Sequence, residues 1–436
     1  MFLFHLFFLF SASFQDNCPF EEWNQVNQKT YRNQSIYSEW SKTRRLQMQE
    51  GVPPNSLQLV SAFVYSDFIA ITTTYVGYKN VGSPVRCRYF DCHRKELRGS
   101  TFATTIFPIA VAHCARRANA KFVTLSFENS TSAEDPEPIP LIFRAFSNPP
   151  HELAVCSGQF FGREPKWIEV IEHVEHHIML GATQFYFTIL DVSKYDNRIF
   201  IYYDRHGISE TTTYLLDYNA TFQFHELQQN DCFYRSRQHA KWVINIDIDE
   251  RFFFTPKNIK FIDFLRRIPE NYGELSFAVA RIVKNEMNIE KNPENPEELE
   301  ENLLFLKYKN ITNPEWYGIK GIFKPLKIHL LFYHFAYGRD EGSKIYTILP
   351  EIGYAHHYRS SVPNMVASNW INNYKEFKKI EFDDDYLRIL KKRVMNTIQR
   401  VYTLKTMRCE DVSYPKIYDM IYEGSCVWKN GTRINK

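Results

Sequence analysis

The 436-residue chain contains no G-x-G-x-x-G and no G-x-x-x-x-G-K-[ST]. The first absence removes the glycine turn on which dinucleotide enzymes seat a pyrophosphate, and the second removes the phosphate loop of P-loop enzymes. There is no H-E-x-x-H, the helical pair of histidines of zinc proteases, and no tight Cys-x-x-Cys, so zinc ribbons and thioredoxin-like redox sites fit poorly. Charge of one sign is also missing. The formal net charge is only +3 and no Lys/Arg run stands out, so the electrostatic footprint of a nucleic-acid binder is not there. The apolar run at the N-terminus, Met1 to Phe10, falls short of the roughly 20 residues that a membrane-spanning helix needs.

That run is followed by the small residues Ser11, Ala12 and Ser13, and no Lys or Arg precedes it. It reads as a signal peptide or a short signal-anchor over 1–15, which leaves membrane attachment through the N-terminus open. The eight cysteines (Cys18, Cys87, Cys92, Cys114, Cys156, Cys232, Cys409 and Cys426) are an even set, suited to disulfides in an oxidising compartment, with connectivity open. Sequons at Asn33, Asn129, Asn219, Asn310 and Asn430 point the same way. The length predicts two to three domains at roughly 150 residues each. Residues 16–55 are polar, as in a stem or linker. Over 56–147, short β-branched and aromatic runs such as Ser61–Tyr65, Ile69–Tyr75, Val85–Tyr89, Phe122–Ser126 and Leu141–Phe143 predict a small antiparallel β-rich domain.

From 148 to 400 the rhythm changes to alternating helices and strands, with 401–436 as a C-terminal extension. Trp167, Val170, Ile171, Val174 and Ile178 form one apolar helical stripe that Gly181 ends. Gln184–Leu190 reads as a strand, Ser193–His206 as a helix, Thr211–Leu216 as a strand, Asn230–Lys241 as a helix and Trp242–Asp249 as a strand. Such alternation predicts an α/β fold with a mixed, mostly parallel sheet, whose ligands bind beyond the carboxyl ends of the strands. Asp247 and Asp249 stand at that end. A period of two places Asn245, Asp247 and Asp249 on one face and Ile244, Ile246 and Ile248 on the other. Two such carboxylates suit a hard divalent cation carrying a diphosphate, because Mg²⁺ and Mn²⁺ take a few carboxylates plus substrate phosphates. A lone Asp-x-Asp is a weak motif; here its position at the end of an apolar strand supports it. A rival metal site is His173 with His177, spaced i, i+4 on the first helix, as in a secreted zinc hydrolase; the plainer reading is a polar helix face.

From Cys156 to Arg359 the chain resembles glycosyltransferase family 92. The resemblance lies in Phe161-Gly-Arg-Glu-Pro-Lys-Trp167, Ile171-Glu-His-Val-Glu175, Leu180-Gly-Ala182 and Asp191-Val-Ser-Lys-Tyr-Asp196. It is densest at Asn230-Asp-Cys-Phe-Tyr-Arg-Ser-Arg237, Ala240-Lys-Trp242 and Asp247-Ile-Asp-Glu-Arg251, and closes with Lys320-Gly-Ile-Phe-Lys-Pro325 and His356-His-Tyr-Arg359. The preceding β-rich region looks like the stem-side region of the nematode branch of that family. The resemblance implies a GT-A-like nucleotide-sugar-binding domain and an inverting, Mn²⁺-dependent transfer of a sugar, galactose above all, from a UDP-sugar donor to a glycan acceptor. It also implies residence in the Golgi lumen or membrane, or a secreted form. Carried over, Asp247 and Asp249 are metal ligands and His357 is the candidate third ligand, with His356 and His334 behind it. Arg235, Arg237 and Lys324 are candidates for the diphosphate, and Lys320 is similar. The catalytic base stays unassigned, with Glu286 and Glu315 among the acidic candidates. The alternative is a catalytically silent member that binds a glycan or a partner enzyme.

Overall fold

A computed structural model describes residues 18, 44–46, 57–74, 82–107, 110–127, 135–162, 164–216, 222–363, 365, 368–403, 426–429 and 432–435. The N-terminal apolar run, most of the stem and most of the C-terminal extension lie outside these residues, as do the sequons other than Asn310, whose side chain is exposed.

After β1 (Arg44–Leu46) come β2 (Leu59–Val64), β3 (Ile69–Thr73), β4 (Pro84–Phe90), β5 (Phe102–Thr105), β6 (Val111–Cys114), β7 (Phe122–Phe127) and β8 (Ile139–Phe143). These last seven form one sheet in the order β5-β4-β7-β8-β2-β3-β6. The strands fall where the β-branched runs predict them. The sheet is antiparallel except at β2 and β8, which pair in parallel, a departure from the all-antiparallel expectation. Cys87 is bonded to Cys114 and Cys18 to Cys92, so two disulfides reinforce this small core.

A twelve-stranded mixed sheet carries the rest of the molecule. Its parallel half is built from β9 (His151–Phe160), α1 (Trp167–Leu180), β10 (Gln184–Ile189), α2 (Lys194–Arg205), β11 (Ser209–Leu216), α3 (Phe222–Ser236) and β12 (Ala240–Asn245). Strand order runs β1-β11-β10-β9-β12, all parallel. The two-residue period sorts the side chains onto two faces. Leu153 and Val155 of β9 and Trp242 and Ile244 of β12 join the core beneath α1, whereas Ala154, Cys156 and Val243 face α3. There Cys156 is bonded to Cys232 of α3. Helix α1 ends at Gly181 in the left-handed region (φ 103°), and Ser193 caps α2 by accepting from the Asp196 N–H.

Three expectations need correction. The third helix runs Phe222–Ser236 rather than Asn230–Lys241, and Gln238 turns into the left-handed region (φ 59°) just beyond it. The following strand ends at Asn245, not Asp249. Helix α1 is also not half polar: Glu169, Glu172, Glu175, His173, His176 and His177 are all buried with its apolar stripe.

Beyond β12 the sheet turns mixed. The elements are β13 (Glu250–Phe254), α4 (Phe261–Arg267), β14 (Tyr272–Lys284), α5 (Pro296–Glu301), α6 (Leu304–Lys307), β15 (Asn310–Ile311), β16 (Glu315–Phe323), β17 (Ile328–Phe332), β18 (Phe335–Arg339), β19 (Lys344–Ile348), β20 (Gly353–Ser360), β21 (Lys378–Lys379) and α7 (Asp384–Ile398). Strand β16 lies antiparallel between β12 and β14, and β20 bridges β14 and β13. The smaller sheet docks on α3. The Tyr65 hydroxyl donates to the Tyr234 carbonyl, the Thr72 hydroxyl donates to Asp231 at 2.6 Å, and Phe63, Tyr65 and Ile142 share a core with Phe233 and Phe323.

Candidate active site

The acidic motif does not continue the strand; it turns the chain. After Asn245, the Ile246 N–H still donates to the Cys156 carbonyl of β9. The Glu250 N–H then donates to the Asp247 carbonyl (3.0 Å), and the Glu250 carboxylate accepts from the Asp247 N–H (3.2 Å). This turn at the carboxyl end of β12 sends the chain into β13, where Glu250 stands opposite His357 of β20. Asp247 and Asp249 therefore share the site through a turn rather than through strand alternation.

Three donors converge there. Asp249 Oδ2 lies 3.1 Å from His357 Nε2, and Glu250 Oε1 lies 3.2 Å from His357 Nδ1. One ligand atom from each of Asp249, Glu250 and His357 can be taken so that all lie within 4.8 Å of one another. Asp247 sits beside them, 3.2 Å from Lys320 Nζ and 3.6 Å from His225 Nε2, and Lys320 also reaches Glu250 Oε2 at 2.7 Å. Asp247 and Asp249 keep 35% and 31% of their side chains open to solvent, while Glu250 and Lys320 are buried at 1% and 4%. The opening therefore lies on the side of the two aspartates.

The charges are interlocked. Burial pushes the Asp247 carboxyl upward, but Lys320 and His225 outweigh it and hold the group well below its ordinary range. Burial likewise acts against Asp249, and His357 holds it down. Glu250 is raised by burial in spite of Lys320 and His357. Lys320 is raised, because Asp247 and Glu250 overcome its own burial.

The donor set fits a hard divalent cation. Glu250 Oε1 is buried, accepts no hydrogen bond and has only the 3.2 Å approach of His357 Nδ1 to offset its burial. The 3.1 Å spacing of Asp249 Oδ2 and His357 Nε2 matches the edge of an octahedron whose bonds are about 2.1 Å long. Two carboxylates and one imidazole are the oxygen-rich, nitrogen-containing set that Mn²⁺ or Mg²⁺ accepts.

Not every expected residue comes here. Alternation along β20 aims His356 away, stacked on Phe253 with ring centroids 3.8 Å apart. His334 lies close enough to feel Lys320 and Asp247, and burial pushes it down to about 3, so it is neutral. Arg235 is buried and paired with Asp231 (3.1 Å). Arg237 donates to the Pro325 and Ile328 carbonyls (2.7 and 2.9 Å). Lys324 lies over the Trp242 ring (4.9 Å) and pairs with Glu270. Arg235 and Arg237 precede β12 and Lys324 stands next to the Phe323–Val243 pairing, while the acids follow the strand, whose six residues span about 20 Å. The expectation that these three contact the same diphosphate does not match that placement. The zinc pair fails for another reason. His173 donates from Nδ1 to the Glu250 carbonyl and accepts from the Ser157 hydroxyl, so both of its nitrogens are occupied. Among the described residues, the other group able to gather three ligands is Cys18, Cys92 and His93, whose cysteines are already joined. Glu250 and His225 were not picked out by sequence reasoning. Glu250 adjoins the motif, but its entry depends on the turn; nothing local marked His225.

The model of glycosyltransferase family 92 matches residues 151–390, more than half of the chain. The chain belongs to glycosyltransferase family 92. The matched region starts with β9 and holds the whole acidic turn, Lys320 and His357. No curated protein matches the chain. Among solved structures, it is similar to a Bacillus anthracis protein assigned as a glucose-1-phosphate thymidylyltransferase, in complex with sucrose, at 10% identity over 40% of this chain and 72% of that one, with a TM-score of 0.23. It is also similar to HddC from Yersinia pseudotuberculosis, at 10% identity over 56% and 99%, with a TM-score of 0.22. Neither likeness carries weight for this family 92 chain at such scores.

Proposed function

We propose that this protein is an inverting, metal-dependent glycosyltransferase with a GT-A-like nucleotide-sugar-binding domain. It moves a sugar, galactose in this reading, from a UDP-sugar to a glycan hydroxyl in the secretory pathway. Membership of family 92 supports glycosyl transfer, and the convergence of Asp249, Glu250 and His357 at the carboxyl end of the central strands carries the reading. Three disulfides and the exposed Asn310 sequon support an oxidising compartment, with the Golgi lumen or membrane as the proposed site. Among the described residues no helix is long and apolar enough to cross a membrane, so attachment would rest on the N-terminal run.

Asp249, Glu250 and His357 would hold the divalent ion, with Mn²⁺ proposed, and Asp247 would face it from the open side. Bound there, the ion would neutralise charge developing on the departing diphosphate. Lys320 sets a positive charge against both Asp247 and Glu250 in a partly enclosed site. His225 steadies Asp247 from the other side. A screen of UDP-sugars with Mn²⁺ and N-glycan acceptors tests the reading. Turnover that needs Mn²⁺ and disappears in Asp249→Ala is expected. Glycan binding without any UDP-sugar turnover or affinity would instead identify a silent binding member.

A further inference from the structure

Resting on that reading, we propose that Glu315 accepts the proton of the acceptor hydroxyl, and that the adjoining Trp316–Tyr317 segment is the ledge on which the acceptor sugar lies. Glu250 of β13 stands opposite His357 of β20, and His357 stands beside Arg281 of β14. Arg281 in turn holds Glu315 of β16, Nη1 to Oε2 at 3.0 Å. Three neighbouring strands thus align Glu250, His357 and Arg281 in one row, and the Arg281 side chain links that row to Glu315, whose backbone pairs with Val279 two residues along β14. Strands lie about 4.8 Å apart and the stagger from Arg281 to Val279 adds about 7 Å along the strand, so the Glu315 backbone is roughly 12 Å from that of His357. That interval accommodates a sugar ring between a metal-held diphosphate and a carboxylate.

Glu315 is held for such a task. Its Oε2 accepts from Arg281 and from the Tyr374 hydroxyl (2.7 Å), and Tyr374 also accepts from Arg281 (2.8 Å). Among the described residues Oε1 makes no hydrogen bond, and 39% of the side chain is open to solvent. One oxygen is therefore fixed and the other is free to face a substrate. Three other carboxylates of this region are already engaged. Glu164 and Glu169 are tied to Lys284, and Glu286 is paired with Lys307 at the surface.

The chain next to Glu315 departs from the sheet. Phe277 pairs with Lys320, yet Val279 pairs with Glu315, so the residues between are bulged outward. Gly318 adopts φ 75° at the bend, and Arg281 Nη2 donates to the Tyr317 carbonyl (3.3 Å), which fixes the bulge to the row. Trp316 and Tyr317 are left 46% and 81% exposed. Large exposed rings beside a polar site are surfaces on which the C–H faces of a sugar can pack, an amphipathic use of aromatic rings. In the transfer step, the acceptor O–H proton passes to Glu315 Oε1 and the acceptor oxygen bonds to the anomeric carbon. The bond from that carbon to the diphosphate oxygen breaks, and its electron pair leaves with the diphosphate.

The test uses the full chain with UDP-galactose and Mn²⁺, counting transfer to free N-glycans and hydrolysis to water together. Glu315→Gln, which keeps shape but cannot take the proton, should lower turnover by about 100-fold or more while leaving the melting temperature unchanged. Affinity for UDP-galactose should stay within roughly twofold, a readout that a merely structural loss would move. Tyr374→Phe, a change at a positioning residue, should lower kcat about tenfold without moving donor KM. Trp316→Ala with Tyr317→Ala should raise acceptor KM about tenfold. Near-normal turnover in Glu315→Gln with donor still bound overturns this proposal and leaves the proposed function standing. Failure of the wild-type protein to bind UDP-galactose overturns both.

Discussion

At the scale of single residues, the site is a balance between buried acids and one buried cation. Lys320 is enclosed with Glu250 and reaches Asp247, and such a pair is costly to break because the survivor keeps its charge without a partner. Lys320→Ala should therefore lower stability by about 3–5 kcal/mol, measured by urea unfolding. Glu250→Gln, similar in volume, should spare most of that stability but weaken Mn²⁺-dependent donor binding by at least tenfold, measured by calorimetry. Unchanged Mn²⁺ dependence would remove Glu250 from the ligand set. The position of Asp247 and Asp249 just beyond the carboxyl end of β12 was legible because the apolar run before them marks that strand. Glu250 was not, because its meaning comes from Lys320 and His357, which lie about 70 and 107 residues further along the chain.

At the scale of elements, legibility followed local physics. Helix α1, strand β10, helix α2 and strand β11 could be read because apolar periodicity, the Ser193 cap and the glycines at 181 and 207 mark them within a few residues. Helix α3 was misplaced because its interior polar residues are satisfied at long range. Asp231 accepts from Thr72, and Asn230 bonds both ways with Leu331, so no stretch of sequence reveals their burial. The β12 boundary was overshot because Ile246 and Ile248 continue the alternation while the hydrogen bonds already form a turn. Gly181 shows a constraint that does stay local in sequence and becomes sharper in space. Its φ is 103°, and an added Cβ would meet Ile262 of α4 at 2.2 Å. Gly181→Ala should cost about 1–3 kcal/mol in urea unfolding through backbone strain and displacement of Ile262, and a cost near zero would contradict that packing.

At the scale of the whole molecule, the small sheet, α3 and the central strands behave as one bonded unit. The Cys156–Cys232 bridge closes a separation of 76 residues across β9 and α3. Loop-closure entropy puts its worth at about 4 kcal/mol, so Cys156→Ala with Cys232→Ala should lower the melting temperature clearly. Buried imidazoles set the response to pH. Burial pushes His113 down to about 4 and His176 to about 3, and His239 lower again, against about 6.5 in an unfolded chain. Below pH 6.5 the unfolded state takes protons that the folded state refuses, so stability is present above that pH and is lost as pH falls toward 3. Glu172, pushed up to about 7 by burial despite Arg251, works in the opposite sense between about 4.3 and 7, but the imidazoles outnumber it. The melting temperature should therefore fall between pH 7 and pH 5. The central claim, that Asp249, Glu250 and His357 form a cation site for a nucleotide-sugar, is tested most directly by titration calorimetry of UDP-galactose with Mn²⁺ and with EDTA. The account predicts binding with Mn²⁺ that weakens at least about 100-fold with EDTA and in Asp249→Ala. Equal affinity under all three conditions would contradict it.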